Sequence, residues 1–135
     1  MKKIIVIILF LLIASSGYSQ YIPDWLEVYD VGSTGGAVGV NLIATDQTGN
    51  VYVCGFKDQG TATEEDIILI KYSPDGNLLW SKWYNSSYNL DEHPYGLVLS
   101  NTGEPIIAGY SDSPKGSDGL ILKYDQNGFL LWDRR

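Results

Sequence analysis

His93 is the single histidine of the chain, and it follows directly on Asp91 and Glu92. Imidazole beside carboxylates is the beginning of a metal site, yet no second histidine and no thiolate lies at ligand spacing. His93 is therefore read as a solvated loop residue. Cys54 is the single cysteine. A thiol attacks only as thiolate, and nothing near Cys54 in sequence lowers its pKa, so a buried structural thiol is expected. Asp46, Asp75 and Asp125 each precede a glycine by one to three residues. A short carboxylate there accepts backbone N–H bonds in a turn, whereas calcium loops alternate acids up to a final glutamate, a pattern missing here.

Glu64-Glu65-Asp66 reads as a solvated charge run. Gly32, Gly35, Gly36 and Gly39 do not form a phosphate cradle, because no Lys-Ser or Lys-Thr follows them and the G-x-G-x-x-G spacing is missing. A flexible connection is expected instead. Trp25, Trp80, Trp83 and Trp132, with ten tyrosines, offer rings on which a sugar could stack. Trp83 and Tyr88 are the candidate surface-binding aromatics. Asn85-Ser86-Ser87 matches a glycosylation acceptor, a tripeptide common by chance. No catalytic, cofactor-binding or metal-ligating residue is expected, and no cofactor.

The elements that would position these residues begin with a leader. Met1-Lys2-Lys3 is a positive start, residues 4–13 are an unbroken apolar run, and Ala14-Ser15-Ser16-Gly17 are small. These are the parts of a secretory signal peptide, expected over residues 1–19 with Gln20 as the mature N-terminus. A transmembrane helix needs about 20 apolar residues, so no membrane span is expected after cleavage and the chain is expected to be secreted or at the cell surface. The formal charge is −7. A surface this acidic repels phosphate backbones, so no nucleic-acid partner is expected. With one cysteine there is no intrachain disulfide, and stability must come from burial or from neighbours.

Residues 20–135 are a repeat region. Residues 66–80 return as residues 118–132: Asp66, Lys71, Tyr72, Gly76 and Trp80 reappear as Asp118, Lys123, Tyr124, Gly128 and Trp132. Upstream, Gly49 and Gly55 reappear as Gly103 and Gly109. The spacing is 54 upstream and 52 downstream, and the difference falls in the 57–65 loop, where length changes are tolerated. Strands are expected at 41–45, 50–56, 66–72 and 78–84, then at 95–99, 105–110, 118–124 and 129–133, joined by turns at 46–49, 73–76, 100–103 and 125–128. Residues 25–29 read as the last strand of a preceding unit. Pro105 can donate no ladder bond and is placed at a strand start or edge.

The third strand of each unit is apolar on both faces: Ile68, Ile70 and Tyr72 point one way, Ile67, Leu69 and Lys71 the other. Such a strand needs neighbours above and below, which four-stranded sheets stacked around an axis supply. The run Asp46-x-x-Gly49-Asn50-Val51-Tyr52-Val53-x-Gly55, followed by Asp66 and by Lys71-Tyr72-x-Pro74-Asp75-Gly76-Asn77-Leu78-Leu79-Trp80, resembles the bacterial secreted β-propeller repeat, and more loosely the quinoprotein-like propellers. The likeness covers residues 25–135. It implies an all-β fold of propeller blades at 41–84 and 95–133, with Trp80 and Trp132 packing blade on blade. In the second copy Ser100 replaces Asp46 and Glu104-Pro105-Ile106-Ile107 replaces Asn50-Val51-Tyr52-Val53.

Propellers typically use about 4 to 8 blades. Two units and a leading strand are therefore expected to be a piece of a longer propeller, or a protomer of a ring completed by other chains. The resemblance implies a non-catalytic exported binding or scaffold module for a protein or glycan partner, able to self-associate through exposed blade faces. The alternative is a fragment of a quinoprotein-like or hydrolytic propeller enzyme whose active site lies in other blades.

Overall fold

The computed structural model describes Tyr29, residues 38–58 and residues 65–135. The leader, the leading strand apart from Tyr29, most of the glycine-rich segment and most of the 57–65 loop lie outside the described residues. The described residues hold eight strands and no helix. Strands β1 (Val38–Thr45), β2 (Val51–Asp58), β3 (Glu65–Tyr72) and β4 (Leu78–Tyr84) pair in that order in one antiparallel sheet. Strands β5 (Glu92–Leu99), β6 (Pro105–Ser113), β7 (Gly116–Tyr124) and β8 (Leu130–Arg134) repeat the plan in a second.

The turn chemistry follows the glycines. Gly49, Gly76, Gly103 and Gly128 all take φ between +77° and +84°, a region that only glycine enters without strain. Each donates its N–H to the carbonyl three residues back, at 2.9 to 3.1 Å. In the first turn Asp46 Oδ1 accepts from the amides of Thr48 and Asn50 at 3.0 and 2.9 Å. Asp125 does the same for Asn127 and Phe129, both at 2.8 Å. Asp75 does not take this role: it is exposed, and the Ser73 hydroxyl accepts from the Asn77 amide. The acceptor sits at the first turn position, three residues before the glycine, and Asp75 sits at the third.

At the turn between β5 and β6 the acid has moved. Ser100 Oγ takes the amides of Thr102 and Glu104, and Glu104 Oε2 accepts from both hydroxyls. Glu104 also meets Lys123 at 2.9 Å, as Asp46 approaches Lys71 at 3.9 Å in the first sheet. Each turn thus keeps one acid near the third-strand lysine.

Burial works to raise the Asp46 carboxyl, but the hydrogen bonds from Asn50 and Thr48 outweigh it and hold the carboxyl below its ordinary 3.8. Its contribution is therefore complete above that value and is lost as pH falls through the lower folded value. Asp46→Asn is expected to be less stable than the parent at pH 6, with the gap narrowing at pH 3. Urea midpoints at the two pH values check this, and an equal gap at both would refute it.

The first strand of each sheet begins earlier than its apolar pattern suggests, at Val38 rather than residue 41 and at Glu92 rather than residue 95. Both strands carry a bulge, between Val40 and Leu42 and between Pro94 and Gly96. A bulge inserts one residue and breaks the two-residue alternation on which a strand is recognised. Pro105 opens β6, as its missing N–H requires, while Pro94 lies at the bulge of edge strand β5. Strands β6 and β7 also run on through residues read as loop, leaving Pro114-Lys115 between them.

The sheets stack face to face. Cys54, Ile67, Leu69 and Tyr84 of the first sheet form one buried cluster with Ile107, Leu120, Leu122 and Tyr124 of the second, flanked by Leu42, Trp80 and Leu97. Polar ties cross the seam as well: Tyr52 Oη to the Gly103 carbonyl at 3.2 Å, Trp80 Nε1 and Lys71 Nζ to the Gln126 carbonyl at 3.1 and 3.4 Å, and Tyr84 Oη to Asp133 Oδ2 at 2.7 Å. The far face of the first sheet is buried too: Val51, Val53, Ile68, Ile70 and Tyr72 pack with Tyr29 and Val40.

By the repeat spacing, Leu120, Leu122 and Tyr124 correspond to Ile68, Ile70 and Tyr72. The two sheets are therefore stacked the same way round, one face of the first on the opposite face of the second. The second sheet's outer face, the copy of the face that receives it, is open: Val98 is 60% exposed, Ile121 43% and Trp132 37%.

Candidate functional site

Asp58 and Glu65, the ends of β2 and β3, and the connections 85–91 and 114–115 all lie at the end of the sheets opposite the four glycine turns. There β5 comes very close to β6. A Cβ at Gly109 would stand 2.1 Å from the His93 carbonyl oxygen, just as one at Gly55 would stand 2.0 Å from that of Gly39. The bulge that follows turns Tyr95 outward, to 67% exposure.

Four rings gather at this point. His93 lies 4.1 Å from Phe56, 5.3 Å from Tyr95 and 6.0 Å from Tyr110, the last nearly parallel at 3°. Tyr95 and Tyr110 are 5.7 Å apart. His93 is thus a half-buried strand residue and not a solvated loop residue, and its Nδ1 is buried with no hydrogen-bond partner among the described residues.

Carboxyls surround the rings. Asp91 Oδ1 accepts the Glu65 amide at 3.0 Å, and the Asp91 carbonyl accepts the Asp112 amide at 2.8 Å. Burial raises the Glu65 carboxyl above its ordinary value; His93 opposes this, while Asp91 and Asp58 add to it. Burial likewise pushes the Tyr110 hydroxyl up, helped by Glu65, Asp112, Tyr95 and Asp91. Glu92, next to His93, points inward and is fully buried, accepting the Ser86 amide at 3.1 Å and the Ser111 hydroxyl at 2.9 Å. Glu65 and Asp66, read together as a solvated run, part company: Glu65 joins this cluster and Asp66 is buried opposite Lys57.

Position by position, the repeat shows what is particular here. Gly39, Asn41 and Phe56 in the first unit stand where His93, Tyr95 and Tyr110 stand in the second. Placing one copy over the other would have revealed this patch from the residues alone.

Trp83 and Tyr88 are both exposed, at 40% and 50%. Trp83 pairs with Ile68 in β4 and carries Lys57 over its ring, and Tyr88 lies in the connection to β5 beneath Arg135. Trp80 does lie between the sheets, edge-on to Tyr52 at 5.9 Å, while Trp132 lies on the open outer face. Among the described residues no three His, Cys, Asp or Glu side chains gather as a metal ion would need, and no helix is long and apolar enough to cross a membrane.

Cys54 is fully buried, and burial pushes its thiol up to about 12. A chromogenic disulfide reagent at pH 8 is expected to leave it unreacted in the folded protein and to titrate it in full in urea. Rapid reaction without denaturant would contradict that environment.

No family model matches the chain, and no curated protein is significantly similar to it.

Proposed function

We propose that the two sheets are blades of the secreted β-propeller type and that the chain is an exported, non-catalytic binding and scaffold module. One observation carries this reading. The sheets stack the same way round, so the second presents the docking face again: Ile106, Ala108, Ile121, Lys123 and Trp132 occupy the positions of Tyr52, Cys54, Leu69, Lys71 and Trp80. Two sheets stacked in this way leave one docking face uncovered, and that apolar face is a place for assembly, since stacking of this kind closes into a ring only when further sheets are added. The residues shared with the secreted propeller repeat support the same reading. The apolar run of the leader supports export, and the acidic composition disfavours nucleic acid as partner.

Light scattering on the purified chain tests the scaffold role. The parent is expected at a mass of two or more chains, and a Val98→Lys, Ile121→Lys double variant at the mass of one. A parent that stays a single chain, indistinguishable from the variant, would overturn the proposal.

A further inference from the structure

A further sheet stacked the same way on the open face would need the features that hold the first seam, and the open face has lost several of them. Tyr52, which donates across the seam to the Gly103 carbonyl at 3.2 Å, is replaced by Ile106, whose side chain donates nothing. Lys71 stands 3.9 Å from Asp46 and reaches the Gln126 carbonyl at 3.4 Å, whereas Lys123 is tied at 2.9 Å to Glu104 of its own sheet. Leu42, Cys54 and Ile67, which fill the seam, give way to Gly96, Ala108 and Gly119. Strand pairing puts these three small residues on one face with Val98, Ile121 and Trp132. The result is a floor beside a ridge. A Cβ at Gly96 would come no nearer than 4.0 Å to that of Ala108, and one at Gly119 would meet nothing within 4 Å, while Val98 is 60% exposed and Ile121 43%.

The far side of the first sheet offers no such face. Val53, Ile68 and Ile70 are no more than 4% exposed there, packed with Tyr29 and Val40. Tyr29 Oη meets Ser81 Oγ at 2.7 Å, just as Tyr84 Oη meets Asp133, the repeat equivalent of Ser81, at 2.7 Å. A neighbour's place on that side is taken from within the chain.

We infer that the open face pairs with the same face of a second copy of this chain in a closed two-fold dimer, the ridge of each lying over the floor of the other. A two-fold interface uses one patch twice and needs a surface complementary to itself. A ridge beside a floor is such a surface, and its exposed apolar groups favour being covered. The contact continues the seam already present in the chain, since the open face is the repeat equivalent of the one that receives the second sheet. No carboxylate lies in its central row of Gly96, Ala108, Ile121 and Arg134, so the net charge of −7 sets no acids against each other at the centre of the contact.

The inference rests on the reading of the open face as a place for assembly, and the measurements separate the two. Light scattering on the purified chain across a concentration series is expected to level off at the mass of two chains. In a mixture of isotope-labelled and unlabelled chains, filtered NOEs should run from the Val98 and Ile121 methyls of one copy to Ala108 and Trp132 of the other. Gly119→Trp fills the floor from outside, so it should keep the parent fold and weaken the dimer at least tenfold. NOEs from those methyls to Val53 or Ile70 of the other copy, a mass that climbs past two chains, or an undisturbed dimer in Gly119→Trp overturns the two-fold pairing and leaves assembly standing. A single chain at every concentration overturns both and leaves the face to a different polypeptide.

Discussion

Gly55→Ala is expected to unfold or nearly unfold the protein, with a loss of about 4 kcal/mol in unfolding free energy. The added Cβ would stand 2.0 Å from the Gly39 carbonyl oxygen and 2.9 Å from the Val40 Cα. Both are backbone atoms in a paired strand, so no side-chain rotation relieves the overlap. Relief requires β1 to move away from β2 at its bulge, which also lifts Val40 off the far-face cluster and Leu42 off the inter-sheet core. Against a total stability of about 5 to 15 kcal/mol, that loss is a large share. Gly109→Ala should behave alike, since its Cβ would meet the His93 carbonyl at 2.1 Å. Gly119→Ala is the control: nothing lies within 4 Å of its Cβ, and it faces outward on the open sheet. Chemical denaturation of the three variants decides the matter, and a cost for Gly55→Ala no larger than that for Gly119→Ala would contradict the strand approach.

Glu92→Ala is expected to cost about 3 kcal/mol. The Glu92 side chain is fully buried and holds two separate elements: Oε2 takes the Ser86 amide in the β4–β5 connection, and Oε1 takes the Ser111 hydroxyl in β6. Alanine leaves the Ser86 amide buried without an acceptor and the Ser111 hydroxyl with only the long 3.5 Å contact to the Asp112 carbonyl, and each unsatisfied group costs about 1 to 3 kcal/mol. Glu92→Gln keeps an acceptor for one of them and should fall between alanine and the parent. Thermal unfolding of the pair checks the order. If glutamine were as damaging as alanine, the hydrogen bonds would not be what stabilises the site.

The physical reasons for what was legible in the residues differ from place to place. Turns announce themselves because only glycine enters positive φ without strain, so Gly49, Gly76, Gly103 and Gly128 mark four hairpins without further information. The alternation in β2 and β3 is equally plain, and burial of Ile67 through Ile70 on both faces follows from their composition. The bulges are not legible in the same way. They shift the side-chain period by one residue, so Gly39 and His93 fall outside the apparent strand although both pair within it. Glu92 fails for another reason: beside Asp91 it looks like surface charge, and only Ser86 and Ser111, distant in sequence, show that its place is inside.

The aromatic patch lies outside what the two copies share. Its residues are those in which they differ, His93 for Gly39 and Tyr95 for Asn41. Trp80 and Trp132 look alike in the repeat and end in unlike surroundings, because only one of the two faces has a neighbour.

That contrast offers the most direct test of the same-way stacking and of assembly through the open face. Fluorotryptophan incorporated into the protein, with resonances assigned by single substitution, would be followed by fluorine NMR across a dilution series. In dilute solution Trp80, partly buried between the sheets, should be less sensitive to solvent isotope than Trp132. As concentration rises, Trp132 should lose that sensitivity and shift towards the position of Trp80, while Trp83 stays as it was. A Trp132 resonance that remains solvent-sensitive at every concentration would contradict the account.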